Sequence, residues 1–148
     1  MLPTRVLIVD DEPDLRLLLQ RKLTLHKYEC FTAANAAQAW TIAARDLPDI
    51  LLLDLMLSGE HGFLLLRRLK SDPLLRRIRV VIVSATGSEQ TRAEAARLGA
   101  SAFFQKPFDF EQLLQTLQRL LNAPDASAAP PATVPTAPST EDGGMILP

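Results

Sequence analysis

The sequence predicts an α/β domain: a doubly wound, five-stranded parallel sheet with helices on both faces. Short apolar runs of strand length alternate with longer segments of helical period, the pattern of strand–helix–strand crossover units. Two of those runs, Val6-Leu7-Ile8-Val9 and Ile50-Leu51-Leu52-Leu53, are apolar throughout, as strands covered on both faces are. The 148 residues are 47% hydrophobic and 22% charged, which suits one domain with a sizeable core.

The predicted strands are residues 6–9, 29–33, 50–54, 80–84 and 102–105. The first helix, 14–25, sets Leu15, Leu18, Leu19 and Leu25 on one face and Arg16, Arg21 and Lys22 off it. Asn35 caps the second helix, 35–45, and Leu47-Pro48-Asp49 stops it before the next strand. A third helix, 62–70, closes at Ser71-Asp72-Pro73. The fourth, 88–98, is followed by Gly99, where a left-handed residue ends a helix. Asp109 caps the fifth, which runs through Leu113, Leu114, Leu117, Leu120 and Leu121. No segment repeats another.

After Asn122 the composition turns to Ala, Pro, Ser and Thr. Residues 1–122 are therefore read as the folded domain and 123–148 as a disordered tail or linker. Three of the 17 acidic residues lie in the tail and none of the 16 basic ones, so residues 1–122 carry +2 within a chain of net −1. That balance selects no polyanionic partner. Arg67, Arg68, Lys70, Arg76, Arg77 and Arg79 read as a solvated or partner-docking face, and direct nucleic-acid binding is not expected. The single Cys30 forms no internal disulfide, which is compatible with the cytoplasm. His26 and His61 stand alone, without the spacing of a zinc site. No signal-peptide or membrane-length apolar segment is found, so a cytoplasmic location is expected.

Chemistry concentrates at the strand ends. The first apolar run ends in Asp10-Asp11 and the third in Asp54. Ligands of doubly wound sheets bind outside the carboxyl ends of the strands, so three carboxylates would meet in one crevice. At about 4 Å and an effective dielectric near 20, each like-charged pair costs roughly 4 kcal/mol. The cluster calls for a cation, and hard oxygen donors select Mg²⁺ or Ca²⁺ over zinc or copper. The fourth strand brings Ser84 to the same rim and the fifth runs to Lys106, followed by Pro107 across a bond type that admits the cis form. Acid, hydroxyl and ammonium groups at one rim fit phosphate chemistry with a divalent cation. No Gly-rich P-loop is present, so the phosphoryl group is expected to be received rather than held as a nucleotide.

The segments Val9-Asp10-Asp11-Glu12-Pro13, Leu53-Asp54-Leu55-Met56, Val83-Ser84-Ala85 and Gln105-Lys106-Pro107-Phe108 resemble the response-regulator receiver domain over about residues 4–121. The resemblance implies a flavodoxin-like strand order, 2-1-3-4-5. It implies that Asp54 accepts a phosphoryl group from a histidine kinase or phosphotransfer protein. Mg²⁺ (or Mn²⁺) would be bound by Asp11, Asp54 and the backbone carbonyl of Met56, with Asp10 acting mainly through metal-bound water. Ser84 would hydrogen-bond the phosphoryl oxygens, Lys106 would pair with them, and small Ala85 would keep Asp54 accessible. Phe103 would be the aromatic that turns inward as Ser84 moves. The outcome would be a changed surface on the fourth helix, fifth strand and fifth helix, read by a downstream protein and possible as a homodimer contact on phosphorylation.

Departures from the family pattern sharpen these expectations. Leu57-Ser58 replace the Met-Pro that often follows the acceptor, which leaves that loop less constrained, whereas Gly62 keeps the family's glycine. Met56 and Thr86, two residues past Asp54 and Ser84, offer no carboxylate or carboxamide to orient a water, so self-dephosphorylation is expected to be slow. A flavodoxin-type flavin carrier is disfavoured because Asp10-Asp11-Glu12 would repel its phosphate. A phosphorylation-independent adaptor with the same fold remains the alternative.

Overall fold

The computed structural model describes residues 2–122; the tail expected over 123–148 lies outside the described residues. Seven strands and five helices follow in the order β1 (Arg5–Val9), α1 (Pro13–Leu25), β2 (Glu29–Ala33), α2 (Ala36–Asp46), β3 (Ile50–Leu53), β4 (Met56–Leu57), β5 (Glu60–His61), α3 (Gly62–Ser71), β6 (Arg79–Ser84), α4 (Glu89–Arg97), β7 (Ala102–Gln105) and α5 (Phe110–Leu121). A short 3-10 turn, Leu75–Arg77, links α3 to β6. Five strands form a parallel sheet in the order β2-β1-β3-β6-β7, the predicted 2-1-3-4-5 once the small β4–β5 hairpin is numbered.

Burial on both faces explains the continuous apolar strands. Leu7, Val9, Leu51, Leu53, Val80, Ile82 and Phe103 pack under α2, α3 and α4 against Ala39, Ala43, Leu65, Leu66 and Ala95. The alternate residues Val6, Ile8, Ile50, Leu52, Val81, Val83 and Phe104 pack under α1 and α5 against Leu19, Leu23, Leu113, Leu114 and Leu117. Side chains pointing alternately up and down thus serve two cores with one strand.

The caps read from sequence, Asn35 and Asp109, are present: Asn35 Oδ1 accepts the Gln38 N–H and Asp109 Oδ1 accepts from Glu111. Ser88, read as the first helical residue, is itself a cap, its Oγ accepting from Thr91. Gly99 ends α4 at φ +100°. Leu47, in the segment read as stopping the second helix, takes the left-handed position after α2 at φ +48°. Other readings change. The third strand stops at Leu53, one residue short of Asp54, and the β4–β5 hairpin went unread. In α1 the buried residues are Leu19 and Leu23, while Leu18 and Leu25 are 49% and 79% exposed. Leucines at 15, 17, 18, 19, 23 and 25 surround that helix, so spacing alone did not choose its inner face.

Two residues of the predicted basic face are held by specific contacts. Lys70 Nζ donates to the carbonyls of Arg76 and Ile78, closing the α3–β6 connection. Arg68 stacks on Trp40, 4.5 Å from the ring centre, and lies 3.9 Å from Glu60. Among the described residues no helix is long and apolar enough to cross a membrane.

Candidate functional site

Adjacent parallel strands in register carry their next residues side by side. β1 and β3 pair with Val9 opposite Leu53, so Asp10 and Asp54 emerge together. The backbone ladder continues into the site: Asp54 N–H donates to the Val9 carbonyl (2.9 Å) and Asp10 N–H to that of Ala33 (3.1 Å). One carboxylate oxygen from each of Asp10, Asp11 and Asp54 lies within 4.8 Å of the others. Asp10 and Asp54 are buried at 3% and 5% exposure, and Asp11 is open to solvent.

Lys106 enters from the end of β7, its N–H bonded to the Ser84 carbonyl at 2.7 Å, and the Lys106–Pro107 bond is cis. Its ammonium lies 2.9 Å from Asp10 Oδ2 and 3.4 Å from Asp54 Oδ2. Burial pushes the Asp54 carboxyl above its ordinary range; the Met56 N–H opposes that, Asp10 adds to it, Lys106 relieves it, and the net direction is upward. Burial also works against the Lys106 ammonium, but contacts with Asp10 and Asp54 outweigh it and the net shift is upward. Three carboxylates against one ammonium leave the crevice short of positive charge. Hard, closely spaced oxygen donors of this kind fit a small divalent cation.

The remaining predicted residues are less directly engaged. Ser84 is fully buried, and its hydroxyl, 3.2 Å from Thr86 Oγ1, accepts the Thr86 N–H. Met56 donates its N–H to Asp54 Oδ1 at 3.1 Å, while its side chain is 56% exposed. Phe103 lies wholly in the core, with the Arg92 guanidinium 4.7 Å above its ring. Ala85 is exposed at the start of the loop after β6.

Several supporting contacts were missed in the sequence. Glu12 N–H donates to Asp10 Oδ1 and Arg16 to the Asp10 carbonyl. Ser58 Oγ donates to Asp11 Oδ2 at 2.9 Å. Arg92 Nε donates to the Gly87 carbonyl in the loop after β6. Ser58 left a signal as a polar residue where a proline is frequent, and the Asp10–Glu12 bond is a local Asp turn that the sequence could have suggested; the two arginine contacts, six and five residues apart, left none.

The family model of the response regulator receiver domain matches residues 6–118. The chain belongs to that family. Among relatives of this receiver domain, response regulator PleD of Caulobacter vibrioides is 44% identical over 117 residues, which cover 78% of the chain but only 26% of PleD. Sporulation initiation phosphotransferase F of Bacillus subtilis is 36% identical, covering 82% of the chain and 96% of that protein. The crystallised chemotaxis protein CheY4 of Vibrio cholerae superposes with a TM-score of 0.76 at 27% identity, covering 80% of the chain and 99% of CheY4. The chain is thus a receiver domain of two-component signalling, a protein class that works with histidine kinases or phosphotransfer proteins and with downstream effectors. Receiver domains bind Mg²⁺ at an acidic Asp cluster, and Asp10, Asp11 and Asp54 form a group of that composition here.

Proposed function

We propose that Asp54 accepts a phosphoryl group from the phosphohistidine of a histidine kinase or phosphotransfer protein, and that the acylphosphate switches a protein-binding surface. The observation that carries this reading is a buried Asp54 between Asp10 and Lys106 at the open end of the sheet. In the transfer, the P–N bond to the donor imidazole breaks as a P–O bond forms to an Asp54 carboxylate oxygen, and the imidazole leaves with the electron pair. Such a reaction needs in-line placement and charge neutralisation more than covalent assistance from the protein.

Asp10, Asp11, Asp54 and the Met56 carbonyl would hold Mg²⁺ (or Mn²⁺), which when bound supplies positive charge to the phosphoryl oxygens. Lys106 already reaches Asp54 and would shift to the phosphoryl group. Ser84 would exchange its Thr86 contact for a phosphoryl oxygen, drawing the loop after β6 toward the site. Phe103 occupies its inward position, so the proposed switch runs between that position and an outward one. Reversing a 1:99 population to 99:1 takes about 5.5 kcal/mol of preference for one state, within reach of one charge-assisted contact, one hydrogen bond and a metal.

Two surfaces suit the partners. A groove of about 400 Å³ lined by Leu15, Leu18, Lys22, Pro107, Phe108 and Phe110 opens beside Lys106, where a phosphodonor must approach. Arg92 on α4 covers Phe103 on β7, which supports the proposal that the downstream target reads the face of α4, β7 and α5. Lys70 and Arg68 are engaged within the fold, we propose no nucleic-acid role, and we read the protein as cytoplasmic.

The test is incubation with acetyl phosphate and Mg²⁺, read by intact mass. A phosphate-sized increase is expected, absent with a chelator and in Asp54→Asn; native mass spectrometry of the same samples reads homodimer formation. No adduct in early-quenched wild-type samples would favour the unmodified adaptor. With neither Met56 nor Thr86 able to orient water, the adduct is expected to decay slowly. Met56→Asn is expected to speed that decay by about tenfold, below the roughly 10²–10⁴-fold of a positioned acid–base group because a carboxamide only orients the water; an unchanged rate would remove this explanation.

A further inference from the structure

We propose that Ser58 is a positioning residue for the cation: its hydroxyl biases Asp11 toward a single metal-facing oxygen and so favours Mg²⁺ over Ca²⁺. This rests on the reading of Asp10, Asp11 and Asp54 as the Mg²⁺ site. Ser58 stands in the turn of the β4–β5 hairpin, next to Gly59, whose φ of +87° makes the turn. The turn lies against the loop after β1, and Ser58 Oγ donates to Asp11 Oδ2 at 2.9 Å across 47 residues of sequence. An ionised carboxylate only accepts, so the hydroxyl must be the donor.

The three carboxylates are constrained differently. Asp10 has both oxygens engaged, Oδ1 by the Glu12 N–H and Oδ2 by Lys106. Asp54 has Oδ1 bonded to the Met56 N–H and Oδ2 near Lys106. Asp10 and Asp54 are buried, so packing fixes them as well. Asp11 is exposed and has no such packing. The Ser58 bond supplies its orientation without neutralising its charge, because a hydroxyl carries none. A hydrogen-bonded carboxylate oxygen keeps a second lone pair, but with the hydroxyl held on Oδ2 the Asp11 Oδ1 is the freer oxygen for a cation and two-oxygen binding by Asp11 is disfavoured.

One oxygen per carboxylate suits Mg²⁺, which demands near-octahedral geometry and takes one or two carboxylates. Ca²⁺ accepts more oxygens and often takes both from one carboxylate. Groups that orient a ligand without touching the metal typically account for 10–100-fold in affinity. A serine that merely suits a turn would have no such effect.

The test is isothermal titration of the full chain with MgCl₂ and, separately, CaCl₂, for wild type, Ser58→Ala, Ser58→Thr and Ser58→Pro. Ser58→Ala is expected to weaken Mg²⁺ binding about tenfold and Ca²⁺ binding distinctly less, with an unchanged metal-free melting temperature. Ser58→Thr, which keeps the hydroxyl, should restore both affinities; Ser58→Pro, which stiffens the loop without one, should behave like alanine. Unchanged Mg²⁺ affinity in Ser58→Ala, an equal loss for the two ions, or recovery with proline would overturn the assignment. Absence of Mg²⁺ binding by the wild type would instead remove the metal site itself, and the inference with it.

Discussion

Gly62→Ala is expected to destabilise the domain by about 3 kcal/mol, the upper end for forcing atoms into a packed site. A Cβ on Gly62 would lie 2.7 Å from the Asp54 carbonyl oxygen and 2.8 Å from the Leu55 Cα. Both are backbone atoms and cannot swing aside as a side chain can. The approach is also bonded, since Gly62 N–H donates to the Leu55 carbonyl at 2.8 Å. Either α3 backs away, uncovering Leu65, Leu66 and Leu69, or the segment carrying Asp54 moves. Urea unfolding measures the first and acetyl phosphate labelling of the folded protein the second. Gly59→Ala is the comparison: open space surrounds it, but its φ of +87° makes alanine cost about 1 kcal/mol. A loss below 1 kcal/mol at Gly62 would mean that the loop before α3 yields freely.

The second large effect concerns charge. Lys106→Ala leaves Asp10 and Asp54 facing each other in a buried crevice. Breaking an enclosed pair costs about 3–5 kcal/mol; the Lys106 side chain keeps 20% exposure, so about 2 kcal/mol is expected at neutral pH. Asp54→Asn should do the opposite in metal-free protein. Its carboxyl is held above the ordinary 3.8, so the native state keeps that proton to higher pH than the unfolded chain does. Stability therefore falls as pH rises through the window above 3.8, and ionised Asp54 destabilises the fold at pH 7. Removing that charge is expected to gain about 1 kcal/mol, or roughly 3–5 °C in melting temperature at this size. Below the carboxylate range both differences should shrink, because the acids are protonated in either state. The Lys106 contribution, raised from 10.5, is complete below that value and lost only as pH climbs through the folded one. Melting curves from pH 3 to 8 with a chelator read all of this. An Asp54→Asn variant no more stable than wild type at pH 7 would refute the charge imbalance.

Much of this architecture was legible because its signals are local. An apolar run of four or five residues ending in Asp needs no tertiary information to be read as a buried strand meeting a crevice, and Asn35 and Asp109 announce helix starts through their own side chains. What was not legible depends on choices between near-equal options. Leucine lies on nearly every side of α1, so its inner face is decided by the sheet beneath it. The β4–β5 hairpin pairs only Met56 with His61 and Leu57 with Glu60, too little chain for any periodicity. The contacts of Ser58 with Asp11 and of Arg92 with Phe103 join residues whose proximity exists only once the chain is folded.

The direction of the strands has a consequence for how the molecule is laid out. Every sheet strand points the same way, so Asp10, Asp54, Ser84 and Lys106 share one pole. Leu121, at the end of α5, borders the same hollow as Leu2, Pro3 and Thr4 at the opposite pole, about 17 Å away along the five residues of β1. The described chain therefore ends, at residue 122, on the pole opposite Asp54, with the length of the sheet between that end and the acidic crevice.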